Sequence, residues 1–311
     1  MIIANPIYDT VFKRMMENER VAKFFIGTLL EEEIISVEVK PQEFTYTDEL
    51  AGLAVFRLDF IATIKTEKEE YKKILIEIQK AKNQIDLMRF RRYLGEQYKK
   101  ENKINNENQA LPITTIYILG FTLPDIDSAC IKVERKYKDL VNKTIIEKKS
   151  DFIEKLTHDS FVVQVDRITD RYQTSLDKLL SVFEQNNFAD DRKITKQFQH
   201  PTDTEDVKIM TDILHHSGTN PEERKRIEDE QEAWRTVNAM FEDKEKELLK
   251  ELSYTKMELN KKDKALGEKD KALGEKDKAL GEKDKALVEK DKALDEKNKI
   301  IEELKRKLGE M

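Results

Sequence analysis

A chain of 311 residues and 36.6 kDa in which 39% of residues are charged and 38% hydrophobic is too polar for one core running its whole length. Part of it must stand in solvent. One cysteine, Cys130, excludes an internal disulfide, and the opening MIIANPIYDT lacks the basic and apolar regions of a secretory leader, so a cytoplasmic location is expected. The most apolar segment, AKFFIGTLL, contains Lys23 and falls far short of the roughly 20 residues that cross a bilayer, so no membrane partner is expected.

The net charge of −6 is unevenly spread. Residues 71–103 hold ten Lys or Arg against four acidic residues, which leaves the remainder strongly acidic. A basic stretch of this kind suits a phosphate backbone, and it equally suits a helix that is merely soluble.

In chain order, Asn5 and Pro6 read as a helix start, with asparagine at the N-cap and proline at the first helical position. Asp9 then lies near the positive end of that helix, where a carboxylate is stabilising whatever else it does. Val21, Phe24, Phe25, Thr28 and Leu29 form the stripe of a second amphipathic helix, which Gly27 weakens by roughly 1 kcal/mol relative to alanine. Glu33 to Tyr46 alternates loosely and is broken by Pro41, as a first strand with an irregular exit.

Val55 to Lys80 reads as two strands joined by the polar turn Thr66–Glu70. Phe56, Leu58, Phe60, Ala62 and Ile64 share one face of the first strand and Arg57, Asp59 and Thr63 the other. In the second strand Ile74, Ile76 and Ile78 face one way, Leu75, Glu77 and Gln79 the other, and Lys80 lies opposite Gln79. Paired as a hairpin, these strands bring Asp59 beside Glu77. Two carboxylates so placed suit a hard divalent cation such as Mg²⁺, although an acidic pair on a solvated hairpin face is also ordinary.

A helix follows from about Asn83 to Lys100, with Leu87, Phe90, Leu94 and Tyr98 as its expected buried stripe. Arg89 and Arg92, one turn apart on another face, have planar donor forks that could contact phosphate, or they could pair internally, as Arg89 with Asp86. Lys80 and Lys82 add to the same basic stretch. Glu101 to Gln109 reads as a polar loop, and the β-branched run Ile113 to Phe121 as a buried central strand. FVVQVDRI is a further strand, and Ser175 to Gln185 a helix with Leu176, Leu179, Leu180 and Phe183 inward. Residues 1–200 are then one domain, a mixed sheet flanked by helices in the α/β class.

Residues 201–251 are helical and acidic, with Trp234, Val237 and Phe241 spaced to anchor a helix on the domain or on another chain. His200, His215 and His216 have no partners at zinc-site spacing and read as surface residues. Residues 252–311 are a third region, built on the heptad Lys-Asp-Lys-Ala-Leu-Gly-Glu. Leucine recurs every seven residues from Leu252 to Leu294, continued by Ile301 and Leu308, yet the second apolar position of a coiled coil holds Lys or Asp, as Asp263 and Lys269 around Leu266. Gly267, Gly274 and Gly281 add a cost. The tail is expected to be a partly frayed helix whose self-association, giving a homo-oligomer, is weak.

Taken in order, Tyr8-Asp9-Thr10-Val11-Phe12-Lys13, Leu58-Asp59-Phe60, Glu77-Ile78-Gln79-Lys80 and Phe90-Arg91-Arg92-Tyr93-Leu94-Gly95-Glu96-Gln97-Tyr98 resemble the PD-(D/E)XK nuclease superfamily, within it the transposase-annotated, recombination-promoting nuclease branch. The resemblance covers the first 125 residues or so and leaves out the repeat. It implies a restriction-endonuclease-like fold and Mg²⁺-dependent hydrolysis of DNA, with Asp59, Glu77 and the backbone carbonyl of Ile78 as metal ligands. It also implies Gln79 at the position of the usual lysine, where it can orient water but supplies no charge, and Asp9 as a first-helix acid near the site. Two other readings stay open: the same fold used only to bind nucleic acid or protein, and an assembly factor that works through its helical tail.

Overall fold

The computed structural model describes residues 1–48, 53–80 and 84–309; residues 41–48, 53–59, 84–86 and 89, and in the last helix 237, 238, 240–242, 244, 245 and 307–309, are described by their backbone alone. Two compact units result, Met1–Asn238 and Ala239–Met311.

The first unit opens on β1 (Ile2–Ala4), which pairs with a strand near residue 196, and α1 begins only at Asp9 (Asp9–Met16). Asn5 does not cap it. The buried Asn5 side chain donates instead to Gln185 Oε1 and the Lys193 carbonyl, each at 3.0 Å, which ties the N-terminal turn to a distant loop. α2 (Glu19–Leu30) is capped by the Asn18 side chain, which accepts from the Val21 N–H, and ends on Glu31 in the left-handed region. Gly27 has a packing role there, since a Cβ would lie 2.8 Å from the Glu32 carbonyl oxygen. The helix-weakening glycine is therefore what lets the chain fold back so tightly.

β2 (Ile34–Asp48) continues through Pro41, because it is an edge strand and needs its N–H groups on one side only. It pairs antiparallel with β3 (Leu53–Thr66), which turns through Glu69 at positive φ into antiparallel β4 (Tyr71–Gln79). α3 (Gln84–Lys99) follows, with a buried stripe of Phe90, Tyr93 and Gln97; Leu87 and Tyr98, expected inward, are exposed. The face is rotated because Tyr93 and Gln97, one turn apart, cover β4, so a polar residue occupies a position that hydrophobicity alone assigns elsewhere.

The polar stretch after α3 is a hairpin, β5 (Asn102–Ile104) and β6 (Glu107–Gln109), turned by Asn105 and Asn106, both at positive φ. Two such residues suit a tight hairpin turn of the right twist. β7 (Ile113–Leu119) is the expected central strand, parallel to β4 on one side. β8 (Cys130–Val133), the small pair β9 (Tyr137–Lys138) and β10 (Ile145–Ile146), and α4 (Asp151–Leu156) lead to β11 (His158–Gln164), parallel to β7 and antiparallel to β8. The result is a mixed six-stranded sheet in the order β2-β3-β4-β7-β11-β8. α5 (Ser175–Ser181) carries a capping box from Thr174 and Asp177, and β12 (Thr195–Gln197) is the partner of β1.

Helices lie on both faces of the sheet. On one, Phe12 of α1 meets Phe25 of α2 and Phe60 of β3 edge-on, with ring centroids 5.4 and 5.0 Å apart, and Leu179 and Phe183 complete the layer. On the other, Phe90 and Tyr93 of α3 pack on Leu75 and Ile113. The core does not stop near residue 200: Met210 and Leu214 of α6 (Glu205–Thr219) and Ile227 of α7 (Pro221–Gly309) are buried in it. His200 is less open than a surface reading implies, since its ring stacks on Tyr172 with centroids 4.4 Å apart. His215 and His216 are exposed. In the second unit α7 is helical as far as residue 309, and its leucines from Leu248 to Leu304 are bare, Leu266 and Leu273 each 62% exposed. No helix among the described residues is long and apolar enough to cross a membrane.

Candidate functional site

The sheet forks where the acidic residues were expected. β3 stays paired with β2 as far as Leu53, and β4 stays paired with β7 as far as Gln79 opposite Leu119. Between β3 and β4, however, the ladder that begins at Lys65 and Tyr71 ends at Phe60 opposite Ile76. The next positions on the two strands are Asp59 and Glu77. The two strands therefore part at the point where those residues follow.

Backbone alternation aims a carbonyl into this fork. The Gln79 carbonyl accepts from the Gly120 N–H at 2.8 Å, so it faces β7. Neighbouring residues of a strand point their backbone groups to opposite sides, which turns the Ile78 carbonyl toward β3, beyond the last pair of that ladder. Gly120 permits the close approach: a Cβ there would lie 3.1 Å from the Lys80 carbonyl oxygen and 3.2 Å from Lys80 Cα. Gly120→Ala should lower stability by about 1–3 kcal/mol by pushing β7 away from the end of β4, measured by denaturant unfolding. A variant as stable as the wild type would show that this contact does not hold the strand end.

Glu77 is 1% exposed and Gln79 is also buried, on the face that carries Leu75 and is covered by α3. Opposite Glu77 on β7 stands Tyr117, whose hydroxyl is pushed well above the ordinary phenol range, by burial first and by the charge of Glu77 in addition, against a hydrogen bond with Thr115. It stays protonated. Nothing in the residues around Tyr117 marked it as a site neighbour, because only the parallel register with β4 sets it there.

Lys80 turns to the opposite face, as alternation requires. Its ammonium pairs with the carboxylate of Glu230 on α7 and lies over the rings of Tyr8, 4.6 Å from the centroid, and Trp234, at 5.0 Å. Glu230 also accepts from the N–H groups of Asp9 at 2.8 Å and Thr10 at 3.0 Å, so a carboxylate from far along the chain caps α1. Lys80 was expected among the basic residues open to DNA; with its side chain 10% exposed it is committed to this pair. Asp9 opens α1, on the layer opposite α3, and is half-buried. Arg92 is exposed on α3, as is its neighbour Arg91. Lys82 lies outside the described residues, and for Asp59 and Arg89 only the backbone belongs to them.

Among the described residues no three His, Cys, Asp or Glu side chains converge as a metal site. The donors that the fork offers among the described residues, the Glu77 carboxylate and the Ile78 carbonyl, are hard oxygens, a kind that suits Mg²⁺ better than a soft metal. Comparison of the chain with models of known protein families, with curated proteins and with solved structures finds no match.

Proposed function

We propose that the chain is a Mg²⁺-dependent DNA endonuclease of the PD-(D/E)XK type, with Asp59, Glu77 and the Ile78 carbonyl holding the ion. The observation that carries this reading is the fork: a sheet that opens at Phe60 and Ile76 leaves a gap just where one acidic position and one buried carboxylate come next. Bound there, Mg²⁺ would supply a polarised water and charge for the phosphodiester. Gln79, on the same face as Glu77, would orient that water through its amide, since it has no charge to offer. Arg91 and Arg92, both exposed on α3, would contact phosphate through their guanidinium groups. The test is nicking of supercoiled plasmid with Mg²⁺ by the wild type beside site variants.

A second reading has its own observation, the row of bare leucines along the second unit, each near 60% exposed from Leu259 to Leu294. A helix with such a stripe gains by meeting another copy, although Ala beside each Leu is the only widening and the flanking places are charged. Sedimentation of the full chain should show self-association at high micromolar concentration that is lost when Leu266, Leu273 and Leu280 become serine. A monomeric wild type at that concentration ends this reading.

A further inference from the structure

A second cluster, in which donors predominate, lies at the far end of β4. Lys73 shares the sheet face of Leu75, Glu77 and Gln79, about 13 Å along the strand from Glu77, and is 3% exposed. Its neighbour on the other face, Lys72, has the usual arrangement, an ion pair with Glu32 at 2.6 Å. Lys73 has nothing comparable: among the described residues its ammonium meets no carboxylate and no hydrogen-bond acceptor, and the one charge that acts on it is another lysine, Lys100. Burial, and then the charge of Lys100, hold it below the ordinary lysine range.

A third donor reaches the same end. Lys73 is in register with Ile113, which packs with Tyr93 of α3, and Gln97 follows Tyr93 by one turn on the covering stripe. The Lys100 N–H bonds back to the Gln97 carbonyl at 3.3 Å, so Gln97 and Lys100 belong to one turn. Gln97 is 2% exposed and its amide nitrogen has no acceptor among the described residues. Leaving the buried Gln97 amide N–H without an acceptor is costly, and the neighbouring Lys73 and Lys100 ammonium groups repel each other. The carbonyl end of α3 offers only a partial negative charge in return.

We propose that Lys73, Lys100 and the Gln97 amide bind a small tetrahedral oxyanion of the phosphate class under the last turn of α3. Such an ion has several acceptor oxygens and so satisfies all three donors at once, and its charge offsets the two lysines that otherwise repel each other. A free ion and the phosphate of a nucleic-acid backbone share this chemistry, and the titration below, run with and without a duplex, separates the two. The site stands apart from the fork and does not rest on the nuclease reading.

The experiment is calorimetric titration of the full chain with inorganic phosphate at constant ionic strength, repeated for Lys73→Met and Gln97→Leu and in the presence of a short DNA duplex. The expected result is saturable binding of one phosphate per chain, weakened at least about tenfold by Lys73→Met and to a lesser degree by Gln97→Leu, and unaffected by the duplex. Circular dichroism and melting of each variant separate loss of the site from loss of fold, and methionine matches the lysine stem closely enough for the chain to fold. Absence of saturable binding, equal affinity in a folded Lys73→Met, or displacement of phosphate by the duplex would each overturn the proposal.

Discussion

Asp59→Ala and Glu77→Ala are each expected to lower Mg²⁺-dependent nicking of supercoiled plasmid by at least about 100-fold, with little change in melting temperature. The magnitude follows from position. Partners one shell removed from a metal typically cost about 10–100-fold when deleted, so a direct ligand should cost no less than the upper end of that range, about 2.7 kcal/mol of barrier. Both positions lie past the last β3–β4 pair, so neither substitution removes a rung of that ladder. Gln79→Ala is expected to have a smaller effect, because the glutamine only orients water. Nicking at the same rate by the wild type and both alanine variants would assign the activity to a contaminant and remove the enzymatic reading. DNA binding that persists in a wild type unable to nick would leave a nucleic-acid-binding module.

What could be read from the residues, and what could not, follows the range of the interactions involved. The β3–β4 hairpin was legible because strict alternation has a period of two, and β7 because seven apolar or β-branched residues in a row fit a strand buried on both faces. The opposite facing of Glu77 and Lys80 came from the same rule. α3 was placed correctly but turned wrongly, since its buried face includes Gln97, and polarity misleads wherever a polar side chain lies under other elements. The β5–β6 hairpin carried a signal, Asn105-Asn106, that a reading of polar stretches as loops overlooked. β1 and β12 carried none, because each is three residues long and its partner is nearly two hundred residues away. The true limit of the core was hidden for the same reason: Met210, Leu214 and Ile227 look like any helical stripe until the surface they cover is known. Of the candidate site, the strand and face of Glu77 and Gln79 were legible and the fork itself was not, since it depends on where a ladder stops.

The largest loss of stability is expected at Glu230. Its carboxylate joins three elements: it pairs with Lys80 at the end of β4, caps the first two N–H groups of α1, and belongs to α7. Glu230→Ala leaves the Lys80 ammonium, 10% exposed between Tyr8 and Trp234, without a counter-charge, and leaves the Asp9 and Thr10 N–H groups without acceptors. Breaking a buried pair from one side costs about 3–5 kcal/mol, a large share of the 5–15 kcal/mol that holds a typical domain together. Removing both partners, as in Lys80→Met with Glu230→Leu, should cost less than the sum of the single changes, because no charge is then stranded. Acid should act in the same direction as the single variant. Burial opposes ionisation of Glu230, but the charge and hydrogen bond of Lys80 and the two α1 amides overcome it and hold the carboxyl below the ordinary glutamate range. A group whose pKa is depressed on folding contributes in full above its unfolded value, and that contribution is lost as pH falls through the folded one. The wild type should therefore lose stability on acidification more steeply than the double variant. Denaturant unfolding across that pH range measures both effects, and a Glu230→Ala chain that unfolds with the wild type would show that α1, β4 and α7 are held together by their apolar contacts alone. If the pair does hold them, nicking should also fall in Glu230→Ala although no proposed metal ligand has changed, because Lys80 follows Gln79 directly and its backbone is the surface against which Gly120 closes β7.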